Sequence, residues 1–187
     1  KGQDFGAGAL MNGHERSLRA TSGMDARVDD LADVSQPLRT VHRAVPLDWT
    51  DYNGHMNEAK YLQAFGDATD RFMEMIGCDA AYIATGGSYF TAETHIRHVD
   101  EAHAGAVIDV RTQVLMGKGK KMHLWHEMYE GGRLLATGEH FLLHVSLETR
   151  RPSDPSPQIV TALERVSGAH AALPMPDGAG RAVGQRP

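Results

Sequence analysis

Residues 57–79 read NEAKYLQAFGDATDRFMEMIGCD, and this stretch decides the fold. Leu62, Phe65, Thr69, Phe72 and Ile76 recur at helical spacing, with Ala68 beside them. The charged residues Lys60, Asp67, Asp70, Arg71 and Glu74 fall mostly elsewhere. The pattern predicts one amphipathic helix of about 20 residues, long against a usual mean of roughly 11–12. Asn57 is a natural N-cap, although Lys60 stands where a capping box would want Glu or Gln. Gly77 is well placed to stop the helix.

Working outward, residues 39–48 (RTVHRAVPLD) read as a strand running into a turn over Asp48–Gly54. Beyond the helix the period changes to two. Ile108, Val110, Val114 and Met116 share one parity, and Met122, Leu124 and Met128 oppose His123, Trp125 and Glu127. Residues 134–147 form a longer apolar strand, and the turns carry Gly86–Gly87, Gly117–Gly119 and Gly131–Gly132. Strands joined by tight turns are antiparallel, and a long apolar-striped helix must pack on one face of them. The expectation is an α+β domain: a curled antiparallel sheet of about five strands wrapped around one long helix. A short helix is expected near residues 156–170. Residues 1–37, rich in Gly, Ser and Asp, read as a flexible or draped arm, residues 38–150 as the domain, and residues 151–187 as a short helix and a Gly/Ala/Pro-rich tail.

Composition narrows the function. The 187 residues carry 19 Lys+Arg against 24 Asp+Glu, a net charge of −5, which argues against a nucleic-acid or anionic-membrane partner. No apolar run approaches the roughly 20 residues that span a bilayer. The first residues show no signal-peptide pattern, so the cytoplasm is the expected address. The single cysteine, Cys78, excludes an internal disulfide and a cysteine-rich zinc site, and reads as a buried structural thiol.

The densest polar cluster lies where the first strand hands over to the helix: Asp51-Tyr52-Asn53-Gly54-His55-Met56-Asn57-Glu58. Turn hydrogen bonds and helix capping account for Asn53, Gly54 and Asn57. They do not account for an imidazole and a carboxylate held at one helix end. The first free N–H groups of a helix form a positive end where an oxyanion can sit, and a carboxylate beside it can attack a carbonyl or activate water.

The string DYNGHMN (51–57) followed by Tyr61 resembles the active-site signature of hotdog-fold acyl thioesterases, including the 4-hydroxybenzoyl-CoA thioesterase branch. The resemblance covers roughly residues 38–148, and the element order deduced above agrees with it. YLQAFGDATD (61–70), GGSYFTAETHIRHVDEAHAG (86–105), HFLLHVSLETRRP (140–152) and the tail PMPDGAGRAVG (174–184) resemble the bacterial betainyl-CoA thioesterases of carnitine breakdown. In that family the domain also occurs fused to L-carnitine dehydrogenase. No dinucleotide fingerprint follows a strand here, so a stand-alone thioesterase is expected.

The resemblance implies hydrolysis of a CoA thioester, betainyl-CoA foremost, to glycine betaine and CoA. It implies Asp51 as general base, or as nucleophile, and helix-start amides near Asn57 and Glu58 as the oxyanion hole. Asn53 and His55 would orient water or polarise the carbonyl. No cofactor and no metal are implied. A side-by-side homodimer, or a dimer of dimers, would place Asp51 of one chain against strand residues of the other. A trimethylammonium group calls for carboxylates and aromatic faces. Glu93, Tyr61, Tyr89 and Trp125 are the substrate-binding candidates, with Trp49, Tyr52 and Phe90 as further faces. Three readings stay open: another short-chain or aromatic acyl-CoA, an acyl carrier protein, and a non-catalytic acyl-CoA sensor. The histidines at 95, 98 and 103, at 123 and 126, and at 140 and 144 are spaced wrongly for convergence along a strand.

Overall fold

The computed structural model describes residues 31–181 and 183, so most of the expected N-terminal arm lies outside the described residues. Five strands form one antiparallel sheet: β1 (Leu38–Ala44), β2 (Gly87–His98), β3 (Val107–Lys118), β4 (Lys121–Glu130) and β5 (Arg133–Ser146). Their order is β1-β3-β4-β5-β2. The long helix α1 spans Glu58–Met75, a short α2 covers Ala80–Ile83, and α3 runs from Pro157 to His170. The Asn57 side chain accepts from the Ala59 N–H at 3.0 Å, as an N-cap should. Gly77 follows at φ +91°, the left-handed conformation that ends helices.

One face of the sheet receives α1. Ala64, Phe65, Ala68 and Phe72 are fully buried there. A Cβ at Gly138 of β5 would meet the Phe65 ring at 2.7 Å, so that glycine lets the helix approach. Leu62, expected in the apolar stripe, is 47% exposed and lies at its margin. Two apolar clusters result. One gathers Trp49, Met56, Tyr61 and Phe65 near the start of α1; the other gathers Phe72, Ile76, Tyr89 and Leu142 near its end. Between them lies a chain of buried polar groups. The hydroxyls of Thr40 and Thr112 are 2.8 Å apart, Thr112 reaches His126 Nδ1 at 2.9 Å, and Thr69 Oγ1 meets both His126 Nε2 and His140 Nδ1.

The edge beyond β1 and the opposite face are also covered, α3 packing into the same apolar cluster as the end of α1. β1 pairs with β3 only as far as Thr112. Beyond it α3 takes over: His170 Nδ1 accepts from Val114 N–H at 2.9 Å, and Ser167 Oγ accepts from Gly117 N–H at 3.0 Å. His170 Nε2 then donates to the Gln36 carbonyl, and Arg165 donates to that of Leu31. The residues after α3 cross the outer face. Gln113 donates to the Pro174 carbonyl, and Glu139 accepts from Gly180 N–H at 2.9 Å. Trp125 sits between Gln113 and Glu139 in one cross-strand row and is buried beneath this crossing. A bulge between Val114 and Met116 inserts a residue and reverses parity, so Met116 pairs with outward-facing His123 instead of sharing the Val114 face. No described helix is long and apolar enough to cross a membrane.

Candidate active site

After β1 the chain makes a 3-10 turn at Leu47–Trp49 and then a tight loop before α1. Asp51 organises that loop. Its Oδ1 accepts from the N–H of Asn53 (2.8 Å) and of His55 (3.3 Å), while its own N–H donates to the His55 carbonyl at 2.8 Å. Gly54 turns the corner at φ +81°, where a side chain would be strained. Trp49 anchors the base of the loop. It is buried, with the Arg43 guanidinium 4.2 Å above its ring and Lys60 Nζ at 5.6 Å.

The helix-start amides are not equivalent. Asn57 N–H donates to the Trp49 carbonyl at 2.9 Å, Ala59 N–H to the Asn57 side chain and Lys60 N–H to the Asn57 carbonyl. Glu58 N–H has no acceptor among the described residues. It stands at the positive end of an 18-residue helix. A half-buried carboxylate and an uncommitted amide therefore occupy the same helix mouth.

A second loop completes the mouth. Met56 N–H donates to the Ala102 carbonyl at 2.7 Å, and His55 and His103 form an isolated antiparallel bridge. His55 Nδ1 lies 3.2 Å from Glu101 Oε2. One ligand atom from each of His55, Glu101 and His103 falls within 4.8 Å of the others. The sequence grouped His103 with His95 and His98; the fold pairs it with His55. Glu101 does not stand out in the sequence, because its place beside His55, 46 positions away, exists only in the fold.

Of the expected residues, Asp51, Asn53, His55, Asn57, Glu58 and Tyr61 meet at this mouth. Tyr61 is buried, and its hydroxyl donates to the Asp100 carbonyl and accepts from Ala102 N–H, tying α1 to the second loop. Burial pushes its pKa up. The other three sit elsewhere in the fold. Tyr89 is buried in the cluster at the far end of α1. Trp125 lies on the outer face, its Nε1 donating to Glu127 at 3.2 Å. Glu93 follows a bulge in β2 and lines an outer-face cavity of about 240 Å³ with His95, His123, Glu139 and Phe141. Tyr52 is 98% exposed beside Asp51. Cys78 is buried, which raises its thiol pKa to about 11 and leaves it a poor nucleophile.

The arrangement of one strand, the long helix and then four strands curled about it is the hotdog fold. Its topology superposes on a Staphylococcus aureus protein solved in complex with CoA, with a TM-score of 0.75, 21% identity, and coverage of 81% of this chain and 98% of that one. The family model described as thioesterase-like superfamily matches residues 45–163. The L-carnitine dehydrogenase/betainyl-CoA thioesterase of Ruegeria pomeroyi is 64% identical over 183 residues, 98% of this chain. The chain spans only 37% of that fused protein's length. The betainyl-CoA thioesterase of Pseudomonas aeruginosa is 41% identical over 157 residues, 82% of this chain and 99% of its own length. The chain belongs to the thioesterase-like superfamily and, within it, to the betainyl-CoA thioesterase family.

Proposed function

We propose that the chain hydrolyses a CoA thioester, betainyl-CoA, to glycine betaine and CoA. The observation that supports this reading is that the Asp51 carboxylate sits in the loop leading into α1, whose first amide, Glu58 N–H, is uncommitted among the described residues. Asp51 takes a proton from water as the water oxygen adds to the thioester carbonyl. The carbonyl oxygen, now anionic, is held by Glu58 N–H and the helix dipole. Collapse of the tetrahedral adduct expels the CoA thiolate, a good leaving group that needs little acid help. Attack by the Asp51 carboxylate itself is the alternative first step. It would pass solvent oxygen into the carboxylate in a single turnover in labelled water. His55 orients the water or polarises the carbonyl, and Asn53 shapes the loop.

The names of the relatives support the acyl group, as does a chain too acidic to attract an equally acidic carrier protein. The site is completed by a second copy. The middle of the edge strand β2, Phe90 to Thr94, is exposed on both faces, as an edge awaiting a strand partner would be. In such a dimer the exposed Glu93 and Phe90 of one copy approach Asp51 of the other.

Release of CoA thiol from betainyl-, acetyl-, butyryl- and benzoyl-CoA tests the reading. Strong preference for betainyl-CoA is expected. Faster turnover of a neutral acyl-CoA would keep the reaction and remove the acyl assignment. Binding of CoA without turnover of any thioester would leave an acyl-CoA sensor.

A further inference from the structure

The two loops that meet at the mouth of α1 bring together three side chains that hydrolysis does not require as a set. We infer that His55, Glu101 and His103 form a binding site for a first-row divalent transition ion of the zinc class. The chain supplies one ligand from the loop before α1 and two from the loop after β2. The backbone between them is fixed by the Met56–Ala102 hydrogen bond and by the His55–His103 bridge.

The donor set selects the ion. Two imidazoles and one carboxylate suit zinc and its neighbours; calcium and magnesium want oxygen ligands only. The hydrogen bonding prepares the ligands. His103 Nδ1 lies 3.2 Å from the Gly54 carbonyl, and a carbonyl only accepts, so Nδ1 carries the proton. In the neutral imidazole that leaves the Nε2 lone pair free, and a backbone carbonyl on the far nitrogen is what orients many metal-bound histidines. Glu101 has no ion pair outside the cluster among the described residues. Its neighbour Asp100 is paired with Arg133 at 2.7 Å, whereas the one ion pair of Glu101 among the described residues is with His55.

The geometry needs a modest adjustment. Ligands of a tetrahedral zinc at about 2.0–2.1 Å stand roughly 3.3–3.5 Å apart. The three ligand atoms here fall within 4.8 Å of one another, and the exposed Glu101 side chain can turn inward. Three protein ligands leave a position for water. Because His55 is shared, the ion and the thioester compete for one imidazole. The inference goes beyond the thioesterase reading and does not rest on it, since binding is read without turnover.

The test uses the full, untagged chain freed of metal by chelator. Cobalt(II) is titrated in and followed by visible absorption, then displaced with zinc, with calorimetry for stoichiometry. One ion per chain is expected, in a tetrahedral-type cobalt spectrum. His103→Ala and Glu101→Gln should each weaken binding by tenfold or more. His42→Ala removes another exposed imidazole with a carboxylate partner, Asp109 at 2.9 Å, and should change nothing. Thermal melts of the ion-free variants should match the parent, because both residues are exposed. Failure to bind either ion below millimolar concentration would overturn the site, as would equal affinity in His103→Ala and Glu101→Gln.

Discussion

Two histidine pairs in this molecule have nearly the same internal geometry and opposite surroundings. The rings of His55 and His103 are 4.8 Å apart at 69°, and those of His126 and His140 are 4.9 Å apart at 81°. The first pair sits at the helix mouth, open to solvent and beside Glu101. The second is buried between α1 and the sheet, with the Phe65 ring against both imidazoles and threonine hydroxyls as its hydrogen-bond partners. Ring geometry therefore says little about role. What decides it is whether a charge can be solvated or paired.

The proton accounting of the buried pair is complete enough to fix its tautomers. Thr69 Oγ1 donates its one hydrogen to the Phe65 carbonyl at 3.0 Å. Both histidines must then donate to Thr69, from His126 Nε2 and from His140 Nδ1. His126 Nδ1 is left to accept from Thr112, and His140 Nε2 is buried with no partner among the described residues. Burial lowers the pKa of both, His140 to about 4 and His126 well below its usual value, the latter also through its neighbour's charge. These are neutral structural histidines that lock α1 onto β4 and β5.

The contrast can be broken in several ways, and acid should do so most strongly. A histidine whose folded pKa is depressed is protonated first in the unfolded chain. Its contribution is intact above pH 6.5 and is lost as pH falls from 6.5 towards 4. For His140 that shift amounts to about 3 kcal/mol. Urea unfolding at pH 7, 5.5 and 4 checks it, with His140→Gln expected to flatten the dependence over that window. An equally steep profile in the variant would mean that the core pair is not its source. Next comes Thr69→Val, which strips both imidazoles of their acceptor and should cost about 2 kcal/mol at neutral pH. Thr69→Ser, which keeps the hydroxyl, should recover most of this in the same denaturant titration. Asn57→Ala removes the cap of α1 and should lower stability by about 1 kcal/mol, read from the thermal midpoint. At the mouth itself, His103→Ala should move stability by no more than about 0.5 kcal/mol. A larger loss there would make the exposed pair as structural as the buried one.

Much of the fold was legible because period and punctuation agree. The 3.6-residue stripe, the Asn57 cap and the Gly77 stop define α1, and glycine turns join β3, β4 and β5. The position of β2 beside β5 was not legible, since the chain from α2 into β2 carries no hairpin that names its neighbour. The Val114–Met116 bulge was hidden for a related reason: parity arguments assume that no residue is inserted. At the site, the contiguous loop Asp51–Glu58 could be read directly. Glu101 could not, because its relation to His55 exists only after two distant loops have met. The burial of Trp125 was not legible either, because it accompanies residues 174–180 crossing the outer face, a tertiary event without local pattern.

Asp51→Asn offers the most direct test. The amide keeps an Oδ1 that can accept from Asn53 and His55, so the loop should persist, while the base is lost. kcat/KM for betainyl-CoA is expected to fall by about 10² or more, with an unchanged thermal midpoint. Turnover within a few-fold of the parent, in an equally stable protein, would rule out Asp51 as base or nucleophile.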